Sequence, residues 1–150
     1  MAAMRRVLVK LSGEALIAPD GYWLNPQTLS TLAEDISLAV GQGFEIAVVI
    51  GGGNVIRGAK VGAAGWIDRS TADAMGMLAT AMNSSAHESA PEAKGTAART
   101  LSSVAMPSLC ETYARQPALH HLSKGRVAVL GGGTGNPFFT TDTAAALKAI

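Results

Sequence analysis

Short, continuously apolar runs alternate along this chain with longer stretches in which apolar residues return every third or fourth position. The runs VLVKL (residues 7–11), IAVVI (46–50) and VAVL (127–130) are broken only by Lys10. Such continuity predicts strands of a parallel sheet covered on both faces. Between the first two runs, Leu29, Leu32, Ala33, Ile36 and Ala39 keep helical spacing. Asn25 and Pro26 form a cap and first-turn pair ahead of them, and Gly41 and Gly43 end the segment, so a strand, helix, strand crossover is predicted. Residues 70 to about 88 predict a second helix, with Met75, Leu78, Ala79 and Met82 on one apolar stripe and Asp68, Ser70 and Asp73 near its positive end.

The pattern fades over residues 84–103, where Pro91 and Gly95 break any long helix. A helix end, a mobile loop and a weak strand are expected there. Residues 106–124 predict irregular chain with a short helix, and an alanine-rich helix is expected from about 141 to 150. No repeat or linker divides the chain, so residues 1–150 read as a single domain.

Composition narrows the class. With 150 residues, 48% of them hydrophobic and 15% charged, the chain can bury a real core, and disorder is excluded for most of it. A net charge of +1 excludes a broad nucleic-acid footprint and leaves small anions as partners. Cys110 is the only cysteine, which removes any intrachain disulfide and suits a cytoplasmic setting. The opening MAAMRRVLVKLSG has a basic start, but Lys10 interrupts its apolar run and no cleavage pattern follows, so no secretory leader is expected. No apolar stretch approaches the ~20 residues of a membrane span.

Chemistry enters with two glycine clusters, GGGN (residues 51–54) and GGGTGN (131–136), each directly after a predicted parallel strand. Ligands of open α/β sheets bind at that end of the strands. Without Cβ atoms, backbone N–H groups can approach phosphate oxygens, and a following helix N-terminus adds favourable partial charge. Neither cluster has the spacing of a P-loop or of a dinucleotide-binding fingerprint. Tight strand-to-loop turns are the plainer explanation for either cluster alone. Lys10, inside an apolar strand and followed by LSG, needs an anion: a transferring phosphoryl group beside Ser12 and Gly13, or solvent at a strand end. Arg57 could clamp a phosphate or lie on the surface. Asp73 could accept bonds from sugar hydroxyls or favour its helix terminus, and Thr140, Thr141 and Asp142 resemble a helix cap and acidic first turn. Phe138 and Phe139 are expected in the core more readily than stacked on a base. His87, His120 and His121 lack metal-ligand spacing and read as structural or exposed, so no metal site is expected in the chain.

Taken in order, VLVKLSGEAL, VVIGGGNVIRG, DAMGMLATAMN, HLSKGRVAVL and GTGNPFFTTDTAA resemble the bacterial uridylate kinases of the amino-acid kinase family, from about Arg5 to Ile150. The resemblance implies an α/β fold, a three-layer α/β/α sandwich around a mainly parallel sheet. It implies phosphoryl transfer from ATP, with Mg2+, to UMP, in a homohexamer built from dimers. Carried over by residue, Lys10 and Arg57 are the catalytic candidates. Lys10, Leu11, Ser12, Gly13, Gly53 and Arg57 fall to ATP. Gly52, Asp73 and the run of Thr134, Gly135, Asn136, Pro137, Phe138, Phe139, Thr140 and Thr141 fall to UMP. These residues would form the acceptor-side portion, and the family's further C-terminal portion would bring adenine-binding surface and a lysine-orienting aspartate. Three departures stand out: Trp23 in place of a glycine in APDGYWLN, a stretch linked to GTP activation; Ala74 where histidine or tyrosine is usual; and Pro91 in a helix that is usually regular.

The chemistry agrees, because a nucleoside monophosphate with second pKa ~6 is already ionised at neutral pH and needs no strong base. Charge repulsion is the obstacle, and Lys10, Arg57, Mg2+ and loop amides can offset it, one donor being worth ~3 kcal/mol. A non-catalytic nucleotide- or oxyanion-binding chain is the alternative of a different class. Acetylglutamate, glutamate and aspartate kinases share the early lysine and the glycine loops, whereas GTGNPFFTTDTAA favours a nucleotide acceptor.

Overall fold

A computed structural model describes residues 5–150; residues 1–4, where the basic opening begins, lie outside the described residues. Its sheet contains β1 (Arg6–Leu11), β2 (Glu45–Ile50), β3 (Ala98–Ser102), β4 (Glu111–Thr112) and β5 (Val127–Gly131), in the spatial order β1-β2-β5-β3-β4. Every pairing is parallel. Because side chains alternate along a strand, β2 and β5 supply two cores. Ile46, Val48, Val127 and Val129 face the layer of α1 (Pro26–Gly41) and α3 (Arg69–Ala93), and Ala47, Val49, Ala128 and Leu130 face that of α4 (Arg115–Ser123) and α5 (Thr141–Ala149). The result is a three-layer α/β/α sandwich. A 3-10 turn (Gly13–Leu16) follows β1 and a short α2 (Gly58–Ala63) follows β2; neither left a periodic signal in the sequence.

The first crossover forms as its residues predict, with the Asn25 side chain accepting from the amides of Gln27 and Thr28. Elsewhere the expectations need correction. β1 lies at the sheet edge, not in a fully covered position, and Val7 remains 39% exposed. Pro91 does not break α3, which continues to Ala93. A proline ring crowds the carbonyl one turn back, but only Glu92 and Ala93 follow it, and the Pro91 carbonyl caps the end by accepting from Lys94 N and Thr96 N, both at 2.9 Å. The supposed weak strand is β3, hydrogen-bonded between β5 and β4, with Thr100 and Ser102 buried. Their hydroxyls are satisfied locally: Thr100 Oγ1 donates to the Ser84 carbonyl at 3.3 Å and Ser102 Oγ accepts from Val104 N at 3.1 Å.

The α3 stripe is also reversed in part. Ala79 is buried, but Met75, Leu78 and Met82 are exposed, while the inward face carries Ala72, Thr80, Asn83, Ser84 and His87. Small and hydrogen-bonded polar groups let the helix lie close against the glycine loops, which bulky side chains would prevent.

Candidate functional site

Strand register brings the candidate residues to one edge. Leu11 pairs with Ile50, Val49 with Leu130, and Ser102 with Gly131, so the exits of β1, β2, β5 and β3 stand side by side. The chain passes from β2 through α3 to β3 and returns to fill the gap with β5. The two glycine loops thus leave neighbouring strands across a topological switch, where a crevice is expected.

A cavity of about 530 Å³ occupies that crevice. One wall is a single stripe of α3, Asp73, Gly76, Met77 and Thr80, whose spacing of three, four and seven residues puts them on one face. Gly52 and Gly53 form the floor, and Gly133, Thr134, Asn136, Phe139, Thr140 and Thr141 form the opposite wall. Lys60 and Arg57 enter from the α2 side. Thr80, Met77 and Lys60 were not among the sequence candidates; counting by helical spacing from Asp73 would have found the first two.

A smaller cleft of about 250 Å³ lies on the β1 side, lined by Lys10, Ser12, Gly13, Glu14, Asp142 and the loop of Gly51, Gly52 and Gly53. Gly52, Gly53, Arg57, Thr140 and Thr141 line both spaces. Leu11, Gly135, Pro137 and Phe138 line neither. Lys10 Nζ stands 2.8 Å from Asp142 Oδ1, and Arg57 forms an ion pair with Glu14. Asp142 therefore gives Lys10 a carboxylate partner within the described residues. Asp142 doubles as the acidic first-turn residue of α5, which Thr140 caps by accepting from Thr143 N at 3.2 Å.

Three polar anchors fix the loops. Asn83, fully buried, donates to Gly51 O at 2.7 Å and pairs reciprocally with the Asn54 amide at 2.7 and 3.0 Å. Thr80 Oγ1 accepts from Gly132 N at 2.7 Å while donating to Met77 O. Asp73 accepts from Phe138 N and from Arg69 Nε, each at 2.8 Å. Desolvation works against the charged Asp73, but Arg69 and the Phe138 amide outweigh it and hold the carboxyl below its usual range. Phe138 needs that clasp, since its φ of 67° lies in the left-handed region that a bulky residue rarely adopts. Phe138 and Phe139 are 65% and 59% exposed, so neither joins the core as expected. His87 and His121 are buried structural groups, His121 bonding Glu111 at 3.0 Å. Among the described residues, no cluster of three or more His, Cys, Asp or Glu could hold a metal ion.

The profile of the amino acid kinase family matches residues 5–150. The chain belongs to the amino acid kinase family. Within that family it is 57% identical over 144 residues to a uridylate kinase of Azorhizobium caulinodans, covering 96% of this chain and 60% of the relative. A uridylate kinase of Bradyrhizobium diazoefficiens is 52% identical over 145 residues, covering 97% and 60%. Among solved structures, the UMP kinase of Bacillus anthracis superposes with a TM-score of 0.90 at 38% identity, over 97% of this chain and 59% of that one. That of Ureaplasma parvum gives 0.91 at 32% identity, over 97% and 63%. The chain spans about 60% of the length of the curated relatives it matches.

Proposed function

We propose that these residues are the acceptor-side portion of a UMP kinase, which transfers the γ-phosphoryl group of ATP to UMP. The observation that carries this reading is the shared wall between two spaces: a larger one lined by hydroxyls, loop glycines and Asp73, and a smaller one holding Lys10 and Arg57. A pyrimidine monophosphate in the first would direct its phosphate across Gly52 and Gly53 toward the second. Thr134, Asn136, Thr140 and Thr141 would shape the acceptor pocket, with Gly135, Pro137 and Phe138 setting the course of the loop behind it. Ser12, Gly13 and Gly53, following Leu11, would offer backbone donors to the ATP phosphates.

The chemical demand is electrostatic. The acceptor phosphate is ionised at neutral pH, so the residues must hold two anions in line and stabilise the equatorial oxygens. Lys10, kept in place by Asp142, is the fixed charge for that task. Arg57 is paired with Glu14 and would exchange that carboxylate for an incoming phosphate. Mg2+ belongs here with ATP as part of the substrate, its charge balancing the polyphosphate. A coupled assay for ADP formation by the complete gene product with UMP, CMP and AMP tests the reading; the expected result is turnover with UMP above the other two, and no UMP-dependent ADP would reject it.

A second reading, acceptor binding without turnover, draws on the small size of the cleft at Lys10, about 250 Å³. Calorimetric binding of UMP without phosphoryl transfer would favour it. Association of the chain, which a homohexamer built from dimers requires, draws on the outer face of α3, where Met75, Leu78 and Met82 stand 37%, 48% and 49% exposed beside Leu109 at 80%. Sedimentation would report it. No described helix is long and apolar enough to cross a membrane, and a cytoplasmic setting suits a chain whose one cysteine, Cys110, is free.

A further inference from the structure

Lys148 lies outside every motif singled out in the sequence, and its surroundings are unusual. From the last turn of α5 its ammonium reaches back to Ser103 Oγ at 2.7 Å and Gly133 O at 2.8 Å, and sits 4.4 Å from the centre of the Tyr113 ring. Ser103 Oγ itself donates to Gly133 O at 3.0 Å, which closes a triangle of three polar atoms. Among the described residues Lys148 forms no ion pair with a carboxylate. The apolar groove beside it holds Arg6, Arg115 and Tyr113 as its other polar groups and no acid. Burial pushes the amine down to about 8, so it stays protonated at neutral pH. Half-burying an ammonium with only a hydroxyl, a carbonyl and a ring face as partners carries a cost, and a methionine would fill the same space without it.

We infer that Lys148 is a positioning residue for the acceptor loop, its ammonium gripping Gly133 O so that Thr134 and Asn136 are held at the wall of the main cavity. The loop is then tied from both sides of the sheet. Thr80 on α3 holds the Gly132 amide, and Lys148 on α5 holds the Gly133 carbonyl. Gly133, with φ at 56°, turns that carbonyl toward α5 while the following residues face the cavity. The ligand limb of this inference rests on the proposed acceptor reading; the loop limb does not.

The test uses the 150-residue chain with Lys148→Met, Lys148→Arg and Ser103→Ala, measured by amide hydrogen exchange and by UMP calorimetry. For Lys148→Met the expected result is faster exchange confined to residues 132–136, unchanged exchange at residues 51–54, and a Tm unchanged or raised. UMP affinity falls about tenfold, the scale of a lost charge-assisted hydrogen bond. Lys148→Arg restores most of both, and Ser103→Ala, which leaves the charge in place, gives a smaller loosening of the same loop. Unchanged loop exchange in Lys148→Met overturns the inference, as does a lowered Tm with exchange raised equally everywhere. Should the Lys148→Met chain fail to fold, Ser103→Ala decides by the same loop-against-loop comparison. Wild-type chain that ignores UMP rejects the acceptor reading, and the exchange data alone then decide the role of Lys148.

Discussion

The two glycine loops leave adjacent strands and face one cavity, yet only one of them needs glycine for its backbone path. Residues 51–54 have no glycine at positive φ, and Gly52 is needed for space: a Cβ there would stand 2.8 Å from Gly76 O and 3.0 Å from the Ala79 Cβ. Residues 131–136 hold Gly132, Gly133 and Gly135 at φ of 75°, 56° and 78°. The first loop folds into a turn, its Gly52 carbonyl accepting from Val55 N at 3.0 Å and from Ile56 N at 3.1 Å, pressed against α3 and pinned by the Asn54–Asn83 amide pair. The second is a coil that only glycine can follow, tied at its amide by Thr80 and at its carbonyl by Lys148. Similar glycine-rich composition thus encodes close approach alone in the first loop, and in the second a backbone path to which Gly131, Gly132 and Gly135 add close approach.

Substitutions by alanine separate the two uses. Gly132→Ala meets both penalties, positive φ and contacts of 2.7 Å with Ser102 Oγ and Val104 N, so it is expected to have the largest effect, a loss above ~3 kcal/mol by denaturant melts. Gly52→Ala keeps an allowed backbone but pushes into α3, and a loss of ~1–3 kcal/mol is expected with the steepest fall in UMP affinity per unit stability, since the same residue floors the cavity. Gly133→Ala has only Met77 Cγ within reach, at 3.7 Å, and is expected to cost ~1–2 kcal/mol from its dihedral alone. Equal losses at Gly52 and Gly133 would erase the distinction.

The smallest expected effect comes from α3, which backs both loops. His87 is buried with Nδ1 bonded to the Asn83 carbonyl at 2.9 Å and Nε2 without a partner among the described residues. Because the carbonyl accepts, Nδ1 carries the proton of the neutral ring, and burial pushes the ring's pKa below the ordinary 6.5. A folded value below the unfolded one means that the unfolded chain takes up the proton first. Stability contributed by the neutral ring is therefore full above about pH 6.5 and declines as pH falls toward the folded value. Urea melts of the wild type against His87→Gln should show the acid-side slope reduced in the variant, and equal slopes would exclude His87 as its source.

Strand runs, the capped first crossover and both glycine clusters could be read from the chain because they depend on neighbours a few residues away: continuous apolarity, an Asn-Pro start, glycine after a strand. The extent of α3 could not. Pro91 reads as a breaker until its carbonyl is seen closing the helix end, and the Met75, Leu78 and Met82 stripe reads as core until Thr80, Asn83 and Ser84 are seen to occupy the inner face. Asp142 looked like a helix-terminus residue, and its pairing with Lys10 joins positions far apart in the chain. Lys148 gave no signal at all.

What the sequence determined by itself is the alternation of strands and helices and the places where bare backbone follows a strand, since both are written in local periodicity and in the absence of side chains. Tertiary structure alone decided which polar group answers which: Asn83 to Gly51, Thr80 to Gly132, Asp142 to Lys10, Lys148 to Gly133. The reason is physical. A buried polar atom must find a partner wherever the packing of the sheet and its two helical layers brings one within about 3 Å, and that distance is set by the strand order, which residue spacing does not record.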